Sequence, residues 1–169
     1  MLRVGLESAS QRVLDQMNKG TSVKDILPYL RNATMAGIRM HVYVMFGFPG
    51  EDEEDRQSTA DFLRKAARYV YSYSISIFHS IPGTAIHVKL LKQFGYDLTA
   101  DVDVNHHYYT EQRYANVLQW AERAQNILSG VHTNRYCYSG RIFMEEPDLG
   151  VSRSVWQNVT NSVRGRMHD

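Results

Sequence analysis

The chain has 169 residues, a formal net charge of +1, and 43% hydrophobic against 22% charged residues, the balance of one ordinary globular domain with a real core. So small a charge gives no field to draw nucleic acid or anionic lipid, and no apolar run approaches the roughly 18 residues of a membrane span. The single cysteine, Cys137, excludes an internal disulfide framework and any multi-thiolate metal site made by this chain alone.

Leu2, Val4 and Leu6 alternate as a strand. Residues Met1 to Glu7 show no basic region followed by a long apolar stretch, so no secretory signal is read there and a cytoplasmic location is expected. Gln11 to Asn18 reads as a short helix with Ser10 as its cap and Gly20 beyond its end. A second helix follows Thr21-Ser22, with Val23, Ile26, Leu27, Leu30 and Ala33 on one face and Gly37 as its stop. Arg39 to Phe46 is a buried strand that feeds a tight turn, Gly47 to Gly50, into a helix opened by five acids, Glu51 to Asp55. Those acids complement the helix dipole, and Arg64, Lys65 and Arg68 do so at its far end. Tyr69 to Phe78 is the third strand, His79 to Thr84 a turn, and Ala85 to Phe94 a helix stopped by Gly95.

Strand–helix alternation over residues 2 to 95 predicts βαβ units and a parallel sheet. Beyond it, Asp97 to Asn105 reads as a loop, Thr110 to Ser129 as a long amphipathic helix, Arg141 to Met144 as a short extended segment, and Ser152 to Val163 as a last helix before a loose tail. His106-His107-Tyr108-Tyr109 reads as extended, which turns the two histidines to opposite faces and away from a shared metal. No metal ligands are assigned, and Cys137 is read as a free structural cysteine.

Three strand ends converge on one rim of this sheet, where ligands sit in α/β folds. They present Gly5-Leu6-Glu7-Ser8, then Met45-Phe46-Gly47-Phe48-Pro49-Gly50-Glu51, then Phe78-His79-Ser80-Ile81-Pro82-Gly83-Thr84. In this order and spacing the chain resembles the radical S-adenosylmethionine (SAM) enzymes, in the branch that often carries a cobalamin-binding domain and in the related methylthiotransferases. The first stretch, with Ser10 to Leu14, Met17 to Gly20 and Thr21, is similar to the family's fourth barrel strand and its helix. Ala36-Gly37-Ile38 and Phe46 to Glu51, with Glu54-Asp55, resemble the fifth strand and its loop. Pro82-Gly83-Thr84 resembles the turn after the sixth.

The resemblance implies an α/β fold: half of a (β/α)6 partial TIM barrel over residues 1–95, three parallel strands with helices, then a mainly helical extension over 96–169 covering the barrel mouth or shaping the substrate site. It implies that Glu7, followed by Ser8, lies against the SAM ribose. Lys19 pairs with the SAM methionine carboxylate, Met45 packs on adenine, and Gly47 lets backbone approach. Tyr43 stands where the family often has a polar residue. His79 and His87, which flank the third strand end, read as surface polar residues, with a substrate-facing role for His79 in a complete barrel as the alternative. The family's cluster motif, Cys-x3-Cys-x2-Cys, is absent from the chain. The implied [4Fe–4S] cluster, with cobalamin as a further cofactor of the branch, therefore belongs to a full-length parent, and the expected partner is a missing N-terminal half that carries the motif. No catalytic residue is assigned. The alternative is a non-enzymatic α/β interaction module that dimerises through its open sheet edge, since half a barrel leaves its first strand unpaired.

Overall fold

The computed structural model describes residues 1–99, 101–129 and 142–143. Its elements run β1 (Leu2–Glu7), α1 (Gln11–Gln16), α2 (Val23–Met35), β2 (Met40–Phe46), α3 (Glu53–Ala66), β3 (Ser72–Ile77), α4 (Ala85–Gln93), α5 (Val104–Tyr108), α6 (Glu111–Ser129) and β4 (Ile142–Phe143). The strands form one sheet in the order β1-β2-β3-β4, every neighbouring pair parallel. This is the expected α/β half barrel, with a two-residue fourth strand inside the segment expected to be extended.

The pleat sorts side chains between two faces. On β2, Met40, Val42, Val44 and Phe46 are buried, as are Tyr73, Ile75 and Ile77 on β3. They share one core with Leu30 of α2, Leu63 of α3, and Val117, Leu118 and Ala121 of α6. The opposite face carries Arg3, His41 and Ser72 in one row, Gly5, Tyr43 and Ser74 in the next, then Met45 and Ser76. Hydroxyls and an imidazole interlock there: His41 Nδ1 and Nε2 lie 2.7 and 3.2 Å from the Ser72 and Ser74 oxygens. Burial, then the Arg3 charge, lowers the His41 pKa.

Two expectations fail locally. Tyr69 falls in a single 3-10 turn, Ala67–Tyr69, before β3, because α3 runs on through Ala66 and the Val70 N–H closes back on the Ala67 carbonyl. His106 to Tyr108 is helical rather than extended. The Asp103 side chain accepts the Asn105 N–H and starts α5 where the sequence has no apolar period. Cys137, the expected helix at Ser152 to Val163 and the tail lie outside the described residues. Among the described residues, no helix is long and apolar enough to cross a membrane.

α1 is latched to the start of α3. Asp52 and Asp55 form a reciprocal capping box, and buried Asp55 also accepts the Ser10 hydroxyl at 2.6 Å and pairs with Arg12. Burial raises the Asp55 carboxyl, but the Asp52 N–H, the Ser10 hydroxyl and Arg12 together hold it below its usual range. Asp55→Asn is therefore expected to cost about 2 kcal/mol in urea unfolding near neutral pH, because it strips charge from three donors. The difference should shrink under acid as Asp55 protonates through its depressed pKa.

Candidate functional site

The rim begins with a break in β1. Gly5 pairs with Tyr43, yet the next partner of β2, Val44, is Glu7, so Leu6 is an extra residue and β1 bulges. Glu7 takes up the kink with φ of +59°, a left-handed conformation that a carboxylate residue adopts only at a cost of about 1–3 kcal/mol. Its side chain doubles back over Gly5, and Oε1 receives the Lys19 ammonium at 3.1 Å. A Cβ at Gly5 would collide with both Glu7 Oε1 and Lys19 Nζ, the latter at 2.9 Å, so the absent side chain makes the cradle in which the pair lies. Lys19 arrives there because α1 ends in a left-handed residue, Asn18, φ +52°. Both side chains are partly open to solvent, at 24% for Glu7 and 36% for Lys19.

The other expected rim residues separate. Ser8 lies inside rather than on the rim: it is fully buried, with its hydroxyl 3.2 Å from Thr59 Oγ1 and accepting the Ser10 N–H. Met45 stays half-buried on the polar face of β2, beside Ser76. Gly47 is approached by the chain itself. With φ of +86°, its missing Cβ would sit 2.8 Å from Tyr109 Oη and 3.0 Å from Val117 Cγ1. Its carbonyl accepts the Tyr108 hydroxyl at 2.8 Å, and its N–H donates to Glu51 Oε2 at 2.6 Å.

Glu51 and Arg56 escaped the sequence reading as site residues. The Glu51 side chain is 1% exposed, with Arg56 Nη1 3.9 Å from Oε2. Its pKa is pushed up to about 7 by burial, against the Gly47 N–H and Arg56, with Asp55 and Asp52 adding to the rise. The same surroundings push Tyr108 up to about 12, chiefly by burial. The available signal was the spacing Gly47-x-x-x-Glu51, which sets a carboxylate under the turn's own amide.

Beyond β3, buried Ser80 lies 3.1 Å from His87 Nδ1, its N–H donates to Asn105 Oδ1 at 2.7 Å, and Asn105 Nδ2 lies 3.3 Å from His79 Nε2. This network pins α5 across the strand end. Tyr96 Oη lies 2.7 Å from His107 Nε2. Among the described residues no three His, Cys, Asp or Glu gather as metal ligands.

Residues 1–63 match the profile of the Radical SAM superfamily. The chain is similar to an uncharacterized protein of Methanocaldococcus jannaschii, 27% identical over 82 residues, or 48% of this chain and 16% of that protein. It is also similar to the tRNA-2-methylthio-N(6)-dimethylallyladenosine synthases of Corynebacterium glutamicum (35% over 78 residues, 43% and 15%) and Sphingopyxis alaskensis (34% over 85 residues, 49% and 19%). The matched segment thus spans less than a fifth of each of these relatives.

Proposed function

We propose, from the radical SAM kinship of residues 1–63, that this chain supplies one wall of an S-adenosylmethionine pocket, completed by a segment that carries a three-cysteine motif. The observation that carries the reading is the Glu7–Lys19 pair, which sets a carboxylate and an ammonium 3.1 Å apart on the rim. In this reading Glu7 accepts the ribose hydroxyls, Lys19 turns from Glu7 to the methionine carboxylate, and Met45 packs on adenine. Those opposite charges suit a ligand that has both hydroxyl donors and a carboxylate. The left-handed Glu7 backbone is the kind of strain that gathers at ligand sites. Ser8 and Gly47 serve the pocket from behind, by holding the strand end to Thr59 and the turn to Glu51 and Tyr108.

A [4Fe–4S] cluster does not fit this chain, since it takes several thiolates and the chain has one cysteine. When bound in the completed enzyme, SAM would supply a 5′-deoxyadenosyl radical. Modification chemistry of the kind named for the tRNA-2-methylthio-N(6)-dimethylallyladenosine synthases is the parent class we favour, in the cytoplasm.

The test is calorimetric titration of SAM into the chain co-expressed with a cluster-bearing N-terminal half. Glu7→Gln and Lys19→Met are each expected to weaken binding about tenfold or more, the worth of a charge-assisted hydrogen bond. Binding untouched by both changes would sink the assignment. The outer edge of β1, unpaired among the described residues, favours one rival, an interaction module. A stable dimer that ignores SAM in either setting would establish that rival instead.

A further inference from the structure

A cleft of about 500 Å³ opens between the turn after β2 and helices α5 and α6. That is room for a small molecule, and the lining is polar: Glu51, Arg56, Thr110, Gln112, Arg113 and Asn116 outnumber the apolar contributors Pro49 and Val117. Two atoms in its wall have no hydrogen-bond partner among the described residues, the acceptor Glu51 Oε1 and the donor Arg56 Nε. Leaving either buried and unmade costs about 1–3 kcal/mol, more for charged groups. They belong to neighbouring side chains, 3.9 Å apart at their closest charged atoms. Glu51 Oε2 is already taken by the Gly47 N–H, so Oε1 is the oxygen left to accept. Arg113 adds a second positive charge: its guanidinium lies 4.8 Å over the Tyr108 ring and spends one nitrogen on the Tyr108 carbonyl. Arg56, Arg113 and Glu51 line the one cleft together with Tyr108.

A ligand that completes this wall must meet two demands at once. It must offer oxygen acceptors to a guanidinium and an O–H donor to a carboxylate oxygen. Plain oxyanions such as sulfate and acetate meet only the first, and an ammonium ion meets only the second. Hydrogen phosphate meets both on one phosphorus, and an α-hydroxy carboxylate meets both on adjacent carbons.

We propose that the cleft between the β2 turn and α5–α6 is a binding site for a small oxyanion that carries its own hydroxyl donor, held by Arg56 and Arg113 and selected by Glu51. Arg56 lines the cleft with 12% of its side chain exposed, so a ligand reaches the two covered atoms only where that side chain turns aside. The site needs neither SAM nor a cluster, so it stands or falls apart from the SAM reading.

Two matched pairs isolate the hydroxyl: inorganic phosphate against sulfate, and glycolate against acetate, each titrated calorimetrically into the full chain at about pH 8 and constant ionic strength, where Glu51 is ionised. Phosphate or glycolate is expected to bind at least roughly tenfold more tightly than its partner, the worth of one hydrogen bond to a charged group. Preference within one pair only identifies the source of the oxyanion. Glu51→Gln, with native circular dichroism, should cut that ratio below about threefold, because the carboxylate then no longer selects for a donor. Arg113→Met should weaken both members of a pair alike. If neither phosphate nor glycolate saturates, or if sulfate and acetate bind equally well, the two atoms are bridged by water alone and the proposal is overturned. A ratio that survives Glu51→Gln overturns it as well.

Discussion

Gly47→Ala is expected to lose about 3–4 kcal/mol of folding stability, more than any other single methyl added to this chain's turns. Two costs add. The backbone at φ +86° is one that L side chains rarely adopt, and the new methyl would lie 2.8 Å from Tyr109 Oη and 3.0 Å from Val117 Cγ1. Neither neighbour yields readily. Tyr109 is 4% exposed and its hydroxyl is tied to the Phe78 carbonyl at 2.7 Å, while Val117 is 1% exposed. Gly83→Ala is the control, because Gly83 has nearly the same φ, +83°, with nothing within 4 Å of the added carbon. It isolates the backbone cost, about 1 kcal/mol. Urea unfolding of the two variants side by side reads the difference. Equal losses would show that α5 and α6 do not bear on the turn.

The second large effect is a dependence on pH carried by Glu51. Its carboxyl titrates near 4.5 when unfolded and at about 7 when folded, because burial disfavours the charge. The folded chain keeps a proton there that the unfolded chain has lost. This contribution is fully present below about pH 4.5, falls as pH rises, and is gone above about pH 7. The spread of about 2.5 units corresponds to about 3 kcal/mol. Glu51→Gln keeps a neutral side chain whose carbonyl still accepts the Gly47 N–H. The variant is expected to match the parent near pH 5 and to exceed it by about 2–3 kcal/mol near pH 8. Denaturant midpoints at both values test this. A constant gap across the range would mean that Glu51 is ionised throughout. Asp55 has the opposite sign, its support fading as acid protonates it, so the two carboxyls on one turn of chain bracket a stability maximum in mild acid.

The architecture was legible because two faces of β2 and β3 are sorted by simple alternation and because α2 and α6 carry long apolar stripes. Glu7 and Lys19 were legible only as a resemblance. Twelve residues separate them in the chain, and a bulge at Leu6 together with the left-handed turn at Asn18 brings them into contact. Glu51 was hidden among five acids at a helix start. Only its spacing from Gly47 sets it apart from exposed Glu53 and Glu54, and that spacing says nothing of burial, which is made by α5 and α6 closing from some sixty residues further on. Ser8 read as a rim hydroxyl and lies inside because Thr59 offers a buried partner. α5 was missed because Asp103-Val104-Asn105-His106-His107 has weak helix formers and only a side-chain cap to start it.

The inward face of the sheet has a consequence for how such a chain meets another. Complete barrels fill their lumen with branched aliphatic side chains, and half of one cut from that material would be adhesive along its whole concave side. Here the rows of Arg3, His41 and Ser72, then Tyr43 and Ser74, then Met45 and Ser76, are mostly polar, with Ser72 buried and Met45 the one aliphatic side chain that β2 adds to this face. Little oily surface waits there to drive a partner into place, so any closing segment would have to be recruited by main-chain pairing along the β1 edge. Such a contact is reversible and exacting about register: one residue of slip would turn every incoming side chain to the wrong face. The lining that could keep the half from sticking to itself would also make it choosy about its complement.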